Sequence, residues 1–99
     1  MTVAFTFTAD VWEHERGAAW HFVSLPEAVA DEIEDRFGHR AAGFGSLRVR
    51  ATIGGSTWET SIFPDGKRAT YVLPVKKAVR TAEELATGSP ADVTLAVIA

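Results

Sequence analysis

The sequence predicts a mainly β fold with two helices, of the α+β class and the size of a small barrel of about six strands. Several short segments alternate apolar and polar residues with a period of two, and two others repeat apolar residues at helical spacing. A Gly-Gly pair between two alternating segments is typical of a hairpin turn. The 99 residues suit one domain, so we expect residues 1–99 to form a single unit.

The first half of the chain begins with two predicted strands. Residues 3–8 alternate apolar with small or polar side chains, and this pattern extends as far as Trp12, which lies on the face opposite the apolar residues. The polar segment EHERGA predicts a loop, and AWHFVSL predicts a second strand. That strand places Trp20 and Phe22 on one face and His21 on the other.

The first helix is predicted in the segment PEAVADEIEDRFG. Pro26 suits the first turn of a helix, where its missing N–H costs nothing. Val29, Ile33 and Phe37 recur every four residues and form one apolar stripe, and Gly38 is a natural end. The sequence therefore predicts an amphipathic helix that packs on the sheet.

The stretch GFGSLRVRATIGGSTWETSIFPDGK predicts a β-hairpin whose turn is Gly54-Gly55. A two-residue turn there sets Ala51 opposite Trp58, a small residue facing a large one on the inner face. Tyr71, in the following predicted strand ATYVLPV, also points inward. The pattern thus favours a core role for both aromatic residues.

The outer face of the same hairpin carries charge. Arg50 lies opposite Glu59 in this register, and opposite charges across an antiparallel ladder stabilise a sheet by about 0.2–1 kcal/mol. Arg48 lies opposite Ser61 and has no obvious partner in this arrangement. We therefore expect Arg48 to be the residue of this stretch with a functional role.

A second helix is predicted over residues 75–86, with basic side chains facing outward, and DVTLAVI predicts a final strand. Both predicted helices follow a Leu-Pro pair, Leu25-Pro26 and Leu73-Pro74, and the two leucines are 48 residues apart. This repetition indicates either two β–Leu-Pro–α units related by a pseudo-twofold axis or a coincidence of two short matches.

Composition limits the classes of function. Cysteine is absent, which excludes disulfides and thiolate metal sites and fits a reducing cytoplasm. No apolar run reaches the ~18 residues of a membrane span, and the opening MTVAFTFTAD lacks the pattern of a signal peptide. We expect a soluble cytoplasmic protein.

The charge is mildly acidic overall and unevenly distributed. The net charge of −3 and the pI of about 5.5 disfavour a general nucleic-acid binder. Residues 1–45 carry three basic and eight acidic side chains, whereas residues 46–99 carry seven basic and five acidic ones. These totals leave room for a local basic face in the second half.

The residues predict no catalytic site, no metal site and no cofactor. His14, His21 and His39 lack the spacing His-Glu-x-x-His, although a tight first hairpin would bring His14 near His21. Neither Gly-x-Ser-x-Gly nor Ser-x-x-Lys occurs, and the paired carboxylates lie on predicted helix surfaces. An enzyme acting on a small molecule in the barrel pocket is kept as a second alternative.

Aromatic residues and arginines are the candidate ligand-binding residues. The chain holds three Trp, six Phe and one Tyr, and aromatic side chains serve both as core anchors and as pocket walls. The predicted site residues are Trp12, Trp20, Arg48, Arg50, Trp58 and Tyr71. For Trp12, packing on a sheet face or on a helix is the competing interpretation.

Nucleic-acid binding is the main alternative. Basic residues on a strand, a hairpin tip and a helix lie near aromatic residues in the second half, and such surfaces bind single strands by charge and stacking. These residues are Arg48, Arg50, Lys67, Arg68, Lys76, Lys77 and Arg80. The acidic pI and the predicted pairing of Arg50 with Glu59 weigh against this alternative.

The segments WHFVSLPEAVADEI, GFGSLRVRATIGGSTWETSIFP and YVLPVKKAVRTAEELATG together resemble a widespread bacterial domain family of unknown function. That domain occurs alone or ahead of a YdeI/OmpD-associated bacteriocin-protection domain, and the resemblance covers nearly the whole chain. It implies a double-split β-barrel, in which about six strands form a pseudobarrel capped at both ends by helices. AbrB-type regulators share this architecture but usually build it from two chains. The family has no established site residues.

The sequence as a whole therefore predicts a small cytoplasmic binding module for an unknown small molecule or protein partner. An AbrB-like regulator that binds nucleic acid is the first alternative. No membrane partner is expected, and the chain is expected to be a monomer or a homodimer.

Overall fold

Six antiparallel strands close into a barrel in a computed structural model that describes residues 3–14 and 20–98. The strands are β1 (Ala4–Glu13), β2 (His21–Ser24), β3 (Leu47–Ile53), β4 (Ser56–Asp65), β5 (Thr70–Pro74) and β6 (Pro90–Val97). The helices are α1 (Glu27–Phe37) and α2 (Lys77–Ala82), with short 3-10 turns at Gly38–Arg40 and Gly43–Gly45. Around the barrel the order is β1-β2-β5-β4-β3-β6, which confirms the mainly β prediction.

The core fills the barrel with aliphatic side chains. Along β3, every second residue is buried, as the period-two pattern predicts. The largest fully buried side chains come from all six strands, from α1 and from the segment after β5: Val11, Val23, Ile33, Leu47, Val49, Ile62, Leu73, Val75, Val93 and Leu95. A small barrel packed in this way has an interior of side chains rather than a channel.

The β3–β4 hairpin has the predicted register. Ala51 pairs with Trp58, and Arg50 pairs with Glu59. Gly54 has a φ of +57°, as the first residue of a tight two-residue turn requires. The prediction of Trp58 as an inner residue is also confirmed, because its side chain is only 9% exposed.

Arg48 faces Ser61, as the register predicts, but it also has a partner that the direct pairing does not predict. Its guanidinium lies 4.0 Å from the Glu59 carboxylate, which also accepts a 3.1 Å hydrogen bond from Arg50. Glu59 is the diagonal neighbour of Arg48 on the same sheet face, a position that long side chains reach. One carboxylate therefore serves two arginines.

The second helix is shorter than predicted, since α2 has six residues. α2 begins at Lys77 rather than at Val75, because the Val75 N–H donates to the His21 carbonyl oxygen at 2.9 Å and so continues the sheet. Its end is a Schellman motif: Glu84 has a φ of +54°, and the Leu85 N–H donates to the Arg80 carbonyl oxygen at 2.8 Å. Glycine usually occupies the left-handed position of this motif, so a glutamate there gave no stop signal.

The two Leu-Pro pairs lie at the ends of adjacent antiparallel strands: Leu25-Pro26 directly follows β2, and Leu73-Pro74 ends β5. Val23 of β2 pairs with Leu73 of β5, and the Leu25 N–H donates to the Tyr71 carbonyl oxygen at 3.0 Å. The chain therefore leaves β2 and β5 in opposite directions. Around the barrel the strands form two groups of three, β6-β1-β2 and β3-β4-β5, and a helix follows β2 and β5.

Within each group of three strands, the strand that precedes a helix pairs with only one end of its neighbour. β1 pairs with β6 over residues 4–10 but with β2 only over residues 11–13. β4 pairs with β3 over residues 56–62 but with β5 only over residues 63–65. The barrel wall is therefore split in two places, and these splits position the candidate site.

Candidate functional site

The split between β4 and β5 opens into a cleft of about 490 Å³ beside α2. We call this concavity the α2 cleft. Its lining residues come from the start of β2, from β4 and β5, and from residues 75–82, which we call the α2 segment. They are Trp20, His21, Trp58, Glu59, Thr60, Pro74, Val75, Lys76, Lys77 and Arg80. This volume is in the range of sites that bind small ligands.

The α2 cleft runs along the edge of β4. Trp58, Glu59 and Thr60 are consecutive in one strand, and their side chains alternate between the two faces. All three line the cleft, so the cleft follows the strand edge that is common to them. Within the described residues, no strand pairs with this edge over residues 57–61.

The hairpin turn decides which backbone groups face the cleft. The pair that closes a two-residue turn, Ile53 and Ser56, exchanges both hydrogen bonds, and every second pair beyond it does the same. Trp58 and Thr60 therefore direct their backbone groups towards β3. Glu59 directs its N–H and C=O the other way, towards the cleft.

The walls of the α2 cleft are apolar. Trp58 and Val75 are buried, and Pro74 closes the end of β5. Trp20 stands at the rim with 60% of its surface exposed, and its ring stacks on Phe22 with the centroids 6.1 Å apart. An exposed aromatic ring beside a buried one is a common arrangement for holding an apolar ligand group.

The rim of the cleft is positively charged. Lys76 and Lys77 are exposed, and the half-buried Arg80 is held by a 3.1 Å hydrogen bond from its Nε to the Val75 carbonyl oxygen. The one acidic residue among the lining residues, Glu59, is engaged by Arg50 and Arg48. The cleft thus presents three cations and a carboxylate that is already neutralised.

His21 contributes a polar atom to the same place. Its side chain is half-buried, and Nδ1 is buried with no hydrogen-bond partner among the described residues. A buried polar atom without a partner costs about 1–3 kcal/mol. Such an atom beside a concavity is a feature of binding sites rather than of optimised cores.

A second surface, the aromatic face, lies on the outer side of β1 and β2. Trp12 packs against Phe22 with the ring centroids 5.0 Å apart, and the Arg68 guanidinium lies 4.0 Å above the Trp12 ring. Trp12 Nε1 donates a 3.0 Å hydrogen bond to Ser24 Oγ. Trp12 therefore covers the outer sheet face and is fixed there on two sides.

The α1 side of the barrel is acidic. Tyr71, buried in the wall of a 290 Å³ pocket, has its pKa raised by burial and further by the nearby Glu34 carboxylate. In the same wall, burial acts to raise the pKa of Asp65, but hydrogen bonds from Arg68 and from the Lys67 backbone hold it below the ordinary 3.8. The Asp65 carboxylate is thus stabilised by its hydrogen bonds, whereas the anionic form of Tyr71 is disfavoured.

The six predicted site residues fall in three places. Trp20 and Trp58 line the α2 cleft, and Arg50 and Arg48 reach it through Glu59. The remaining two lie elsewhere, Trp12 on the aromatic face and Tyr71 beside α1. The structure therefore brings four of them together and separates two.

Sequence reasoning did not select the cleft residues of the α2 segment. The sequence predicts Lys76, Lys77 and Arg80 as an outward helix face that belongs to a basic nucleic-acid surface, and His21 as a strand residue near His14, but it assigns none of them to a ligand cleft. The sequence does contain a signal for them, because the three cations lie within six residues of Leu73-Pro74. A chain that leaves a sheet at such a pair lies beside the end of the strand. The split of β4 from β5 carries no local signal.

The described residues hold no group of three or more His, Cys, Asp or Glu side chains that is suited to bind a metal ion. His14 does not face His21: the register sets Glu13 opposite His21, and the His14 ring lies 6.4 Å from that of Phe22, on the other face of the β1–β2 pair. None of the helices in residues 3–14 and 20–98 is long and apolar enough to cross a membrane.

Comparison with known proteins identifies the domain. Residues 7–95 match the profile described as "Domain of unknown function (DUF1905)". A comparison with curated proteins finds no match to the chain. The matched region includes all of the α2 cleft and nearly all of the barrel, and it confirms the resemblance to a family of unknown function. The chain belongs to the DUF1905 family.

Proposed function

We propose that this protein is a non-catalytic, cytoplasmic binding module whose α2 cleft takes a ligand with an apolar part and an anionic group. One observation carries the proposal: the barrel is left open beside the short helix α2, and the opening is lined by aromatic side chains and three cations. Apolar walls with a few convergent polar groups are typical of ligand sites.

The charge of the rim supports an anionic ligand. Lys76, Lys77 and Arg80 stand on one side of the cleft, and Arg50 and Arg48 already neutralise the carboxylate on the other. An anion that enters gains charge-assisted hydrogen bonds without displacing an existing partner. A cationic ligand would meet repulsion from the same three side chains.

Binding is favoured over catalysis by the state of the acidic residue. General acid–base chemistry commonly needs a carboxylate or histidine that is oriented by a partner and faces the reactant. Glu59 is turned to the outer face and held by Arg50, so it does not orient His21. The proposal that an enzyme acts in this cleft is therefore the weaker one.

A pair of matched probes tests the proposal. We expect 2-naphthoate to bind in the cleft and to shift the NMR signals of Trp20, Trp58 and Lys77, and 2-naphthalenemethanol to bind about tenfold more weakly because it lacks the charge. Lys77→Gln should weaken naphthoate binding, whereas Lys67→Gln, on the turn after β4, should not. Equal binding of both probes, or shifts confined to Trp12, would contradict the proposal.

Native mass spectrometry of the protein purified from its own host, compared with its denatured mass, detects a native ligand that stays bound. Extra mass that disappears on denaturation supports the proposal and gives the ligand mass directly. The same spectrum reads the oligomeric state, for which we expect a monomer or a homodimer. A bare protein of either state redirects the search to protein partners and nucleic acid.

An AbrB-like regulator that binds nucleic acid is the second candidate. Two features favour it: the cations around the α2 cleft and the adjacent aromatic face, on which bases stack in other single-strand binders. The two groups of three strands, each with one split, support a double-split barrel in which one chain supplies both halves. Single-stranded DNA binding that falls steeply with salt and is lost in Arg48→Ala is expected if this candidate is correct.

A further inference from the structure

We propose that the ligand of the α2 cleft is a short acidic peptide in extended conformation, which adds a strand to the free edge of β4. This inference rests on the proposed function, because it names the class of ligand for the same cleft. Extended peptides add strands to exposed sheet edges in several recognition domains, where main-chain hydrogen bonds give affinity and alternate side chains give specificity.

The free edge supplies the hydrogen bonds. Glu59 turns its backbone N–H and C=O to the cleft, and in the same register so do Thr57 and Ser61. Within the described residues, β4 has no strand partner on this side before Phe63. Residues 57–61 span about 13 Å at the rise of a β-strand, a length that four or five peptide residues match.

The path of the chain leaves room for the added strand. β5 pairs with β4 over residues 63–65 and ends at Pro74, and the chain then bends away through Val75 into α2. The space in which β5 would continue along β4 is the α2 cleft. A peptide there occupies the position of a strand that the chain itself does not provide.

The side walls select the chemistry of the peptide. Side chains of an added strand alternate, so one set points inward at Trp58 and Val75, which favours apolar residues. The wall formed by the α2 segment carries Lys76 and Lys77, which favours acidic residues in the other set. Alternating apolar and acidic residues therefore fit this edge.

The same charges disfavour a second copy of this chain as the occupant. In a symmetric pair of β4 edges, Lys76, Lys77 and Arg80 of each copy would approach those of the other. Like charges brought together at an interface oppose association. The occupant is therefore a segment of opposite charge.

Two isomeric N-methylated peptides test the geometry. The parent is an acetylated and amidated pentapeptide of alternating Glu and Val, and its N–H groups point alternately to opposite edges of the added strand. N-methylation of both Val residues blocks one edge, and N-methylation of the central and C-terminal Glu residues blocks most of the other with the same number of methyl groups. We expect one isomer to lose at least about tenfold in affinity and the other to retain binding.

The readout is NMR of the labelled full-length protein. The parent peptide should shift the Glu59 backbone amide signal downfield, as a new hydrogen bond does. Lys77→Glu should lower the affinity at least about tenfold, and the matched Lys67→Glu variant should leave it within about twofold. The pentapeptide in which Lys replaces Glu serves as the charge control and should not bind.

Failure of this inference is distinguishable from failure of the proposed function. Equal affinities of the two methylated isomers, or a Glu59 amide that does not shift, overturn strand addition. If 2-naphthoate binds in the cleft and the acidic peptide does not, the ligand is a small molecule and only the peptide inference is wrong. If neither binds there, both proposals are wrong.

Discussion

The two ends of the barrel have the same strand-to-helix connection but differ in the length of the helix that follows it. At each end a strand ends near a Leu-Pro pair and the chain turns into a helix. α1 has eleven residues and buries Ala30 and Ile33, with Val29 and Phe37 packed partly against the core. α2 has six residues and buries Val79. The longer helix covers its side of the barrel, and the shorter helix leaves the α2 cleft beside it.

Charge separates the two ends further. α1 contains five acidic residues and one basic residue, whereas the α2 segment over residues 75–82 contains three basic residues and no acidic one. The two helical segments thus carry opposite net charge, and each favours a ligand of the opposite sign. The comparison teaches that the α1 end buries more of the core, whereas the α2 end has the open, basic cleft on which the proposed function rests.

The largest effect is expected from Ile33→Ala. Ile33 is fully buried in α1, and removing a buried isoleucine side chain costs about 2–5 kcal/mol. Val79→Ala in α2 removes fewer methyl groups and should cost about 1–2 kcal/mol. Urea unfolding of both variants measures the difference, and an equal or larger loss for Val79→Ala would contradict the expectation that the α1 end contributes more to stability.

Gly54→Ala should follow in size. Gly54 has a φ of +57°, and a Cβ there would collide with the Glu83 carboxylate. That carboxylate accepts hydrogen bonds from Ser56 Oγ at 2.7 Å and from the Gly55 N–H at 3.4 Å, so it fastens the end of the α2 segment to the hairpin. We expect a loss of about 1–3 kcal/mol and altered NMR signals along α2.

Gly66→Ala is the matched control for that variant. Gly66 is exposed, has no left-handed φ, and a Cβ there meets no atom within 4 Å. The substitution should be neutral or stabilise the protein by up to about 1 kcal/mol. If Gly54→Ala behaves like this control, Glu83 does not hold the α2 end.

Much of this architecture was predictable because its causes are local. The Gly54-Gly55 turn determines the β3–β4 register, and with it the facing pairs Ala51–Trp58 and Arg50–Glu59. The apolar stripe of α1 and its end at Phe37 also follow from nearby residues. These features depend on periodicity and on turn chemistry, which a sequence displays directly.

The features that define the site depend on distant residues. The split of β4 from β5 arises because pairing ends at Phe63, and nothing in residues 57–61 distinguishes a paired edge from a free one. α2 ends at a left-handed glutamate, Glu84, rather than at a glycine. Arg48 contacts Glu59 diagonally across the β3–β4 pair, and the register predicts only the contacts between directly facing residues. The cleft is thus a product of tertiary closure.

Asp65→Asn tests the acidic end through its pH dependence. Asp65 accepts a 2.7 Å hydrogen bond from Arg68 and a 3.1 Å bond from the Lys67 N–H, and its pKa lies below the ordinary 3.8. A carboxyl with a lowered folded-state pKa stabilises the native state above pH 3.8, and this contribution is lost as the pH falls through the folded-state pKa.

We expect Asp65→Asn to cost about 1 kcal/mol at pH 7 and to converge with the wild type towards pH 2. Chemical denaturation at pH 7, 4 and 2 measures this difference. Lys67→Gln is the control, since Lys67 contributes its backbone N–H, and it should leave the pH dependence unchanged. A difference that persists at pH 2 would show that the side chain acts through packing instead.

The smallest stability effect, and the most informative for binding, is expected from Glu59→Gln. Arg50 and Glu59 are both about half exposed and 3.1 Å apart, so a double-mutant cycle should give a coupling of about 0.2–1 kcal/mol that weakens with salt. The cycle with Arg48, at 4.0 Å, should give less. Removing the carboxylate also leaves two arginines unneutralised beside the α2 cleft, so 2-naphthoate should bind more tightly to the variant although its fold is slightly less stable. Weaker binding would contradict this prediction and mean that the Glu59 carboxylate itself contacts the ligand. The difference between the two ends would then lie in their shape and not in the sign of the charge that they present to a ligand.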